Sequence, residues 1–282
     1  MFFGKIVSRV LVHRCRGKRR LLIAWSEQEF AREFHASSHQ SPTQELMRRE
    51  RLMNLYVGTS GYSHKEWKGT FYPQKLPTKQ MLPFYSAQFR TVEINYTFRR
   101  LPTESVLENW AGAVPAEFQF VLKAPERITH SKRLQDAGDA LAGFLDVAGR
   151  LRERLGPLLF QLPPTFKKDA PRLRAFLGLL PSERRVTFEF RHPSWFDDEV
   201  LALLREHRAA LCIADDVLDV PVVATAAWGC LRLRRPDYDD AALETWVKHV
   251  RNQDWRDAFV FFKHEDEAKG PRFAKQFLEL AG

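Results

Sequence analysis

Cysteine is scarce: Cys15, Cys212 and Cys230 are the only three in 282 residues. An odd number without metal-ligand spacing supports neither a disulfide framework nor a thiolate metal site, and it fits a reducing, cytoplasmic setting. Cys212 and Cys230 sit inside apolar runs, where small buried residues belong. No uninterrupted apolar segment approaches the ~18 residues that span a bilayer, and no apolar core follows the basic start as in a secretory signal. Neither a membrane span nor an export signal is expected. No Gly-x-Gly-x-x-Gly turn follows the first apolar run, which argues against a dinucleotide-binding doubly wound sheet.

What the chain does have is eight short apolar runs: Leu55 to Gly58, Thr91 to Phe98, Phe118 to Lys123, Leu158 to Leu162, Val186 to Arg191, Ala210 to Asp215, Leu231 to Arg234 and Phe259 to Glu265. Each has strand length. Successive strand side chains point to opposite faces, so Phe118, Phe120 and Leu122 oppose Gln119, Val121 and Lys123. The split recurs where Val186, Phe188 and Phe190 oppose Thr187, Glu189 and Arg191, and where Leu231 and Leu233 oppose Arg232 and Arg234. In the last run Val260 and Phe262 oppose Phe261, Lys263 and Glu265. One face is apolar and the other ends in charge.

Between most runs, apolar residues recur at helical spacings of three and four, as in Leu82, Tyr85 and Phe89, or Leu141, Phe144, Leu145, Ala148, Leu151 and Leu155. The sixth connection, Asp216 to Gly229, contains Pro221 and little periodicity, so a loop or short helix is expected there. Alternating strands and helices argue for parallel strands, and eight repeats in about 230 residues match an eightfold barrel. The expected fold is α/β: a single (β/α)8 TIM-type barrel over residues 53–282 with a weak or missing sixth helix.

The formal net charge is +9. Residues 1–52 hold eleven Lys or Arg and five Glu, or +6, which leaves +3 for the remainder. A nearly balanced barrel does not call for a polyanionic partner. Nucleic acid is therefore expected only through the leader, where Arg14, Arg16, Lys18, Arg19 and Arg20 cluster before a polar stretch from His35 to Gln44. The leader reads as a basic arm or, more simply, as a disordered extension, with Met53 standing immediately before the first strand.

Barrel geometry places inward residues near the strands' carboxyl ends in the active site. The densest group there is Glu189, Arg191, His192 and Trp195, a carboxylate beside guanidinium and imidazole groups able to move protons. Its structural counterpart is a buried ion pair that holds the barrel together. Glu93 and Asn95 form a second inward pair, and Asp215 ends run six. Three carboxylates on separate strands suit a metal or a division of acid and base roles. Five cations, Lys123, Arg191, Arg232, Arg234 and Lys263, share the interior with them, an excess that favours an anionic substrate over a metal. Lys123 as a Schiff-base nucleophile needs a lowered pKa, whereas adjacent carboxylates push it upward; a charged, substrate-binding lysine is expected. His130 in a loop is a possible donor, Gln161 a hydrogen-bonded amide, and His64 and Trp67 loop residues equally suited to packing. The role of His264 is open.

The segments Val57-Gly58-Thr59-Ser60-Gly61-Tyr62, Phe71-Tyr72-Pro73, Val92 to Phe98, Ile128-Thr129-His130, Gly156 to Pro164 and Glu189-Phe190-Arg191-His192-Pro193-Ser194-Trp195 together resemble the YecE-like family, family seventy-two of the domains of unknown function. The resemblance runs from about Asn54 to Leu280. It implies a single TIM-type barrel and supplies no reaction. The family's recurring polar positions map onto Glu93, Asn95, Lys123, His130, Gln161, Glu189, Arg191, His192, Trp195, Asp215 and Arg232. The chain departs from it at Arg234-Arg235, where His-Gly is common, and at Phe262-Lys263-His264-Glu265, where Asn is frequent.

The leading expectation is an acid-base enzyme, a hydrolase, lyase or isomerase, acting without a cofactor or metal on a small anionic or sugar-like substrate. Glu189 and Asp215 are its acid and base candidates, with Glu93 and His192 assisting. Arg191, Arg232, Lys123, His130, Gln161, Asn95 and Trp195 are its substrate-binding candidates. The alternatives are a metal-dependent phosphoesterase or sugar isomerase using Glu93, Glu189, Asp215 and His192 as ligands, and a non-catalytic barrel that binds a metabolite or nucleic acid.

Overall fold

The computed structural model describes residues 53–217, 220–263 and 266–282. The basic leader, together with His264 and Glu265, lies outside the described residues. Among these residues eight strands form: β1 (Asn54–Thr59), β2 (Thr91–Ile94), β3 (Gln119–Lys123), β4 (Leu155–Gln161), β5 (Val186–Glu189), β6 (Ala210–Ala214), β7 (Trp228–Leu233) and β8 (Asp257–Phe262). They pair in the order β1-β8-β7-β6-β5-β4-β3-β2, with every ladder parallel. The α/β barrel read from the alternation is present.

Among the described residues, seven helices of six residues or more cover it: α1 (Met81–Ser86), α2 (Glu104–Gly112), α3 (Gly138–Gly149), α4 (Ala170–Leu177), α5 (Asp198–Glu206), α6 (Asp240–Arg251) and α7 (Lys269–Ala281). Three start on an aspartate whose carboxylate accepts an otherwise orphaned backbone N–H. Asp169 accepts from Arg172, Asp197 from Val200 and Asp239 from Ala242. Among the described residues no helix joins β6 to β7. Thr225 pins that connection instead, its hydroxyl accepting from Leu211 N and donating to Ala209 O, both at 2.8 Å.

Some boundaries differ from the sequence pattern. Run two ends as a strand at Ile94, because Asn95 turns into right-handed helical backbone and Tyr96–Arg99 forms one helical turn. Leu155, the last member of an apolar helical stripe, instead opens β4, since α3 stops at Gly149. Lys263 lies beyond the end of β8.

The face alternation sorts the core into two parts. Residues such as Phe118, Phe120, Leu122, Val186, Phe188, Leu231 and Val260 pack outward under the helices. Val121, Leu159, Ala210, Cys212, Trp228, Cys230, Phe259 and Phe261 fill the barrel's interior, with Tyr56 stacked on Phe259 at 4.6 Å. Both barrel cysteines are buried, as expected from their runs. This apolar plug is the floor on which the polar end is built.

Closure between β1 and β2 is thin. It consists of a bridge between Ser60 and Glu93, with Gly61 N–H donating to the Glu93 carbonyl at 2.8 Å. Below it, Tyr85 from α1 inserts its phenol into the seam, accepting from Thr59 N at 2.8 Å and donating to Thr91 O at 3.1 Å. Gly58 makes room: a Cβ there would lie 2.2 Å from Thr91 O and 2.8 Å from the Tyr85 hydroxyl. Tyr85→Phe is therefore expected to orphan two buried backbone groups at roughly 1–3 kcal/mol each. Urea unfolding measures this, and a loss below about 0.5 kcal/mol would remove Tyr85 from any role in closure.

Candidate functional site

Strand parity carries Glu93, Glu189 and Arg232 into the barrel directly above the apolar plug. Arg232 is fully buried. Its Nε and Nη2 donate to the two oxygens of Glu93, each at 2.7 Å, and its Nη1 donates to Glu189 Oε2. Both carboxylates have no exposed surface. Asn95 Nδ2 donates to Glu93 at 2.9 Å, and Arg191 Nε donates to Glu189 at 2.5 Å. Burial pushes the Glu189 carboxyl up, but Arg232 and Arg191 outweigh it and hold the group down at about 2. Glu189 therefore stays ionised at neutral pH, unsuited to donating or accepting a proton there. With guanidinium and amide donors on both carboxylates, neither is presented to a metal ion while those contacts hold.

Above this layer the mouth opens. Arg191 Nη1 donates to Asp216 at 3.1 Å, and Arg234 Nη1 lies 3.5 Å from Asp216 and 4.0 Å from Glu189. Burial, followed by repulsion from Arg232, lowers the Arg234 pKa. Asp215 corrects an expectation. One residue past β6, it keeps the parity of Leu211 and Ile213, so its carboxylate leaves the interior, accepting from Arg234 N at 2.6 Å and from the Tyr238 hydroxyl. Asp216 takes the place at the mouth that sequence reading assigned to Asp215. Lys123, Arg191, Arg232 and Arg234 thus stand with Glu93, Glu189 and Asp216, four cations to three carboxylates where five to three was expected, Lys263 lying past the end of β8.

Trp195 is a second correction. Its indole is completely buried, stacked on Phe190 at 4.8 Å, with Nε1 donating to Phe166 O at 2.7 Å. A ring held this way packs the loop after β5 and does not face a ligand. His192 is half-buried and caps the adjoining turn, Nδ1 accepting from Ser194 N at 3.2 Å and lying 2.8 Å from Ser194 Oγ. Neither residue meets Glu189 directly. His64 likewise packs on Trp67, with ring centroids 4.5 Å apart.

Lys123 differs most from its expectation. Its ammonium makes no hydrogen bond or ion pair among the described residues, and it sits 4.2 Å from the centre of the Phe98 ring. Desolvation, then Arg232, lowers its pKa to about 8, against the opposing pull of Glu93 and Glu189. The carboxylates that should have raised it are turned toward guanidinium groups. Thr97 holds this arrangement, its hydroxyl bonded to the Lys123 carbonyl at 2.6 Å, so the turn carrying Phe98 is tied to the end of β3. His130 approaches the same ring edge-on, 4.9 Å between centroids. Burial, then Lys123, pushes its pKa down, leaving it largely neutral at pH 7. It sits on a π-helical turn, Arg127–Ser131, followed by Arg133, Leu134 and Asp136 with positive φ. Such wide turns and strained non-glycine residues collect at functional sites.

Gln161 ends β4 opposite Glu189 in the ladder, half-buried, with no side-chain hydrogen bond among the described residues. Ser60 escaped sequence reasoning. Counting alternate positions from Tyr56 turns it inward, and its hydroxyl is buried without a hydrogen-bond partner among the described residues. Phe98 left no signal, since run two read as a continuous strand through it.

The family described as protein of unknown function DUF72 matches residues 56–282. This chain belongs to that family. UPF0759 protein YecE of Escherichia coli K12 is 33% identical over 143 residues, and the match spans 50% of each chain, so the alignment reaches only half the length of that relative. UPF0759 protein YunF of Bacillus subtilis 168 is 26% identical over 272 residues, covering 80% of this chain and 94% of YunF. A DUF72 family crystal structure from Thermotoga maritima MSB8 superposes with a TM-score of 0.72 at 26% identity, covering 80% of this chain and 98% of that one. A DUF72 protein of Enterococcus faecalis V583, at 18% identity and TM-score 0.68, shares the fold. The described residues contain no helix long and apolar enough to cross a membrane.

Two expected outcomes follow from the buried layer in this DUF72 barrel. Arg232→Met leaves two interior carboxylates without their shared partner and is expected to cost about 3–5 kcal/mol in chemical denaturation. In acid, the folded Glu189 value of about 2 lies below its ordinary 4.5. Its stabilisation is thus complete above the ordinary value and is lost as pH falls toward 2, roughly 3 kcal/mol in all. Stability curves of Glu189→Gln measured across that range should fall less steeply than those of the parent protein; parallel curves would refute the assignment.

Proposed function

We propose that this DUF72 barrel binds a small anionic substrate at the carboxyl ends of its strands and acts on it by proton transfer through Lys123 and His130. The observation that carries the reading is the engagement of Glu93 and Glu189 by Arg232 in the buried layer, which leaves Arg191, Arg234 and Lys123 as the cations nearest the opening, with Asp216 shared between the two arginines as the carboxylate beside them. Guanidinium forks match carboxylate and phosphate oxygens, and Gln161 and Ser60 add neutral hydrogen-bonding groups. Lys123, brought down to about 8, can give up or take back a proton near neutral pH, and His130, whose pKa is lowered by burial and by Lys123, stands by as a proton acceptor. Hydrolysis, lysis and isomerisation all remain within reach of such a pair. The metal-dependent alternative is not favoured, because its ligands Glu93 and Glu189 are occupied by Arg232 and Arg191.

Sulfate is a suitable probe, since its charge is constant across neutral pH. At roughly 100 times its dissociation constant a ligand adds about 2.7 kcal/mol of stability, read as a rise in Tm. The rise is expected to disappear in Arg191→Gln, which separates site binding from the general effect of a kosmotropic salt. Binding should also weaken as pH rises through about 8, where Lys123 loses its charge. Equal sulfate shifts in the parent protein and Arg191→Gln would overturn the anion site.

A further inference from the structure

We propose that Lys123 is a nucleophile that forms an imine with a small aldehyde or ketone bearing a carboxylate or phosphate group. The inference deepens the preceding reading and rests on its anion site. An amine attacks a carbonyl only when unprotonated, so a Schiff-base lysine must be desolvated or set beside other cations, and must not be tied up in an ion pair. Lys123 meets each condition by geometry. Its ammonium lies over the Phe98 face at 4.2 Å, and among the described residues no carboxylate lies within ion-pair distance. The groups acting on it from β2, β5 and β7 are Glu93, Glu189, Arg232 and Arg234, and both carboxylates are already directed at guanidinium donors. The residue is half-buried, so part of it meets solvent. A lowered pKa agrees with this placement.

The chemistry balances without an oxidant or reductant. The Nζ lone pair of the neutral amine adds to the carbonyl carbon and the carbonyl π pair moves to oxygen; the nitrogen then gives up one proton and the oxygen takes one, leaving a neutral carbinolamine. A second proton on that oxygen lets it leave as water while the nitrogen lone pair forms the C=N bond of a protonated imine, so one proton is taken up and one water released, and the imine draws electrons from the neighbouring carbon. His130 is placed for the proton movements: its Nδ1 is held by the Thr129 hydroxyl at 2.9 Å, and its ring meets the same phenyl group as Lys123. Arg191 and Arg234, which share Asp216 at the mouth, would exchange that contact for the substrate's anionic end.

Pyridoxal 5′-phosphate joins an aldehyde to a phosphate, and borohydride reduction makes its imine permanent. Treating the whole chain at neutral pH and mapping labelled peptides by mass spectrometry is expected to show Lys123 modified roughly tenfold or more faster than exposed Lys65 and Lys79. Inorganic phosphate should slow the reaction at Lys123 and leave the exposed lysines unchanged. Labelling of Lys123 no faster than Lys65 and Lys79 overturns the nucleophile, even if sulfate still raises the Tm and the anion site stands. Fast labelling by both pyridoxal 5′-phosphate and phosphate-free pyridoxal, with no protection by phosphate, keeps the nucleophile and removes the anion site. The comparison is made within one unaltered protein, so it does not depend on a variant that folds.

Discussion

One buried guanidinium organises the polar end of this barrel. Arg232 reaches from β7 to Glu93 on β2 and to Glu189 on β5, joining three strands across the interior where no backbone hydrogen bond can run. Charges in such a place are stable only together, because each alone would bear most of its desolvation cost. The network thus fixes the mutual positions of distant strands at the level where the mouth begins. It also takes two carboxylates out of proton chemistry.

The consequence for Lys123 is indirect. Had Glu93 or Glu189 been free to turn toward it, an ion pair would have kept the lysine charged. With both held by Arg232, the lysine faces an aromatic ring on one side and guanidinium charge on the other, so desolvation and repulsion act in the same direction. The shift of Lys123 and the burial of the carboxylates are two results of the same arrangement. Membership of the DUF72 family brings the fold with it and leaves the reaction to be decided from this local electrostatics.

Much of the barrel could be read along the chain, because alternation of period two is a local property of strands. It places Glu93, Lys123, Glu189 and Arg232 on inward positions, and it marks the sixth connection as different through Pro221. Reading failed where a strand ended. Asp215 lies one residue past β6 and keeps an outward parity, while Asp216 turns to the mouth. Trp195 follows the charged end of β5 but packs into the loop's own small core. Strand ends are decided by how the chain turns, and two neighbouring residues there can face opposite ways.

The sequence by itself determined the number of strand-helix units, the apolar and polar faces, and an inward set richer in cations than in carboxylates. All of these follow from periodicity and composition, which need no knowledge of distant neighbours. Only the tertiary structure decided which charges pair. Glu93 and Arg232 are 139 residues apart, and nothing in either local segment shows that they meet. Partner choice sets the pKa of each group. For that reason the chain alone pointed to Glu189 and Asp215 as proton carriers, whereas the folded barrel directs attention to Lys123 and His130.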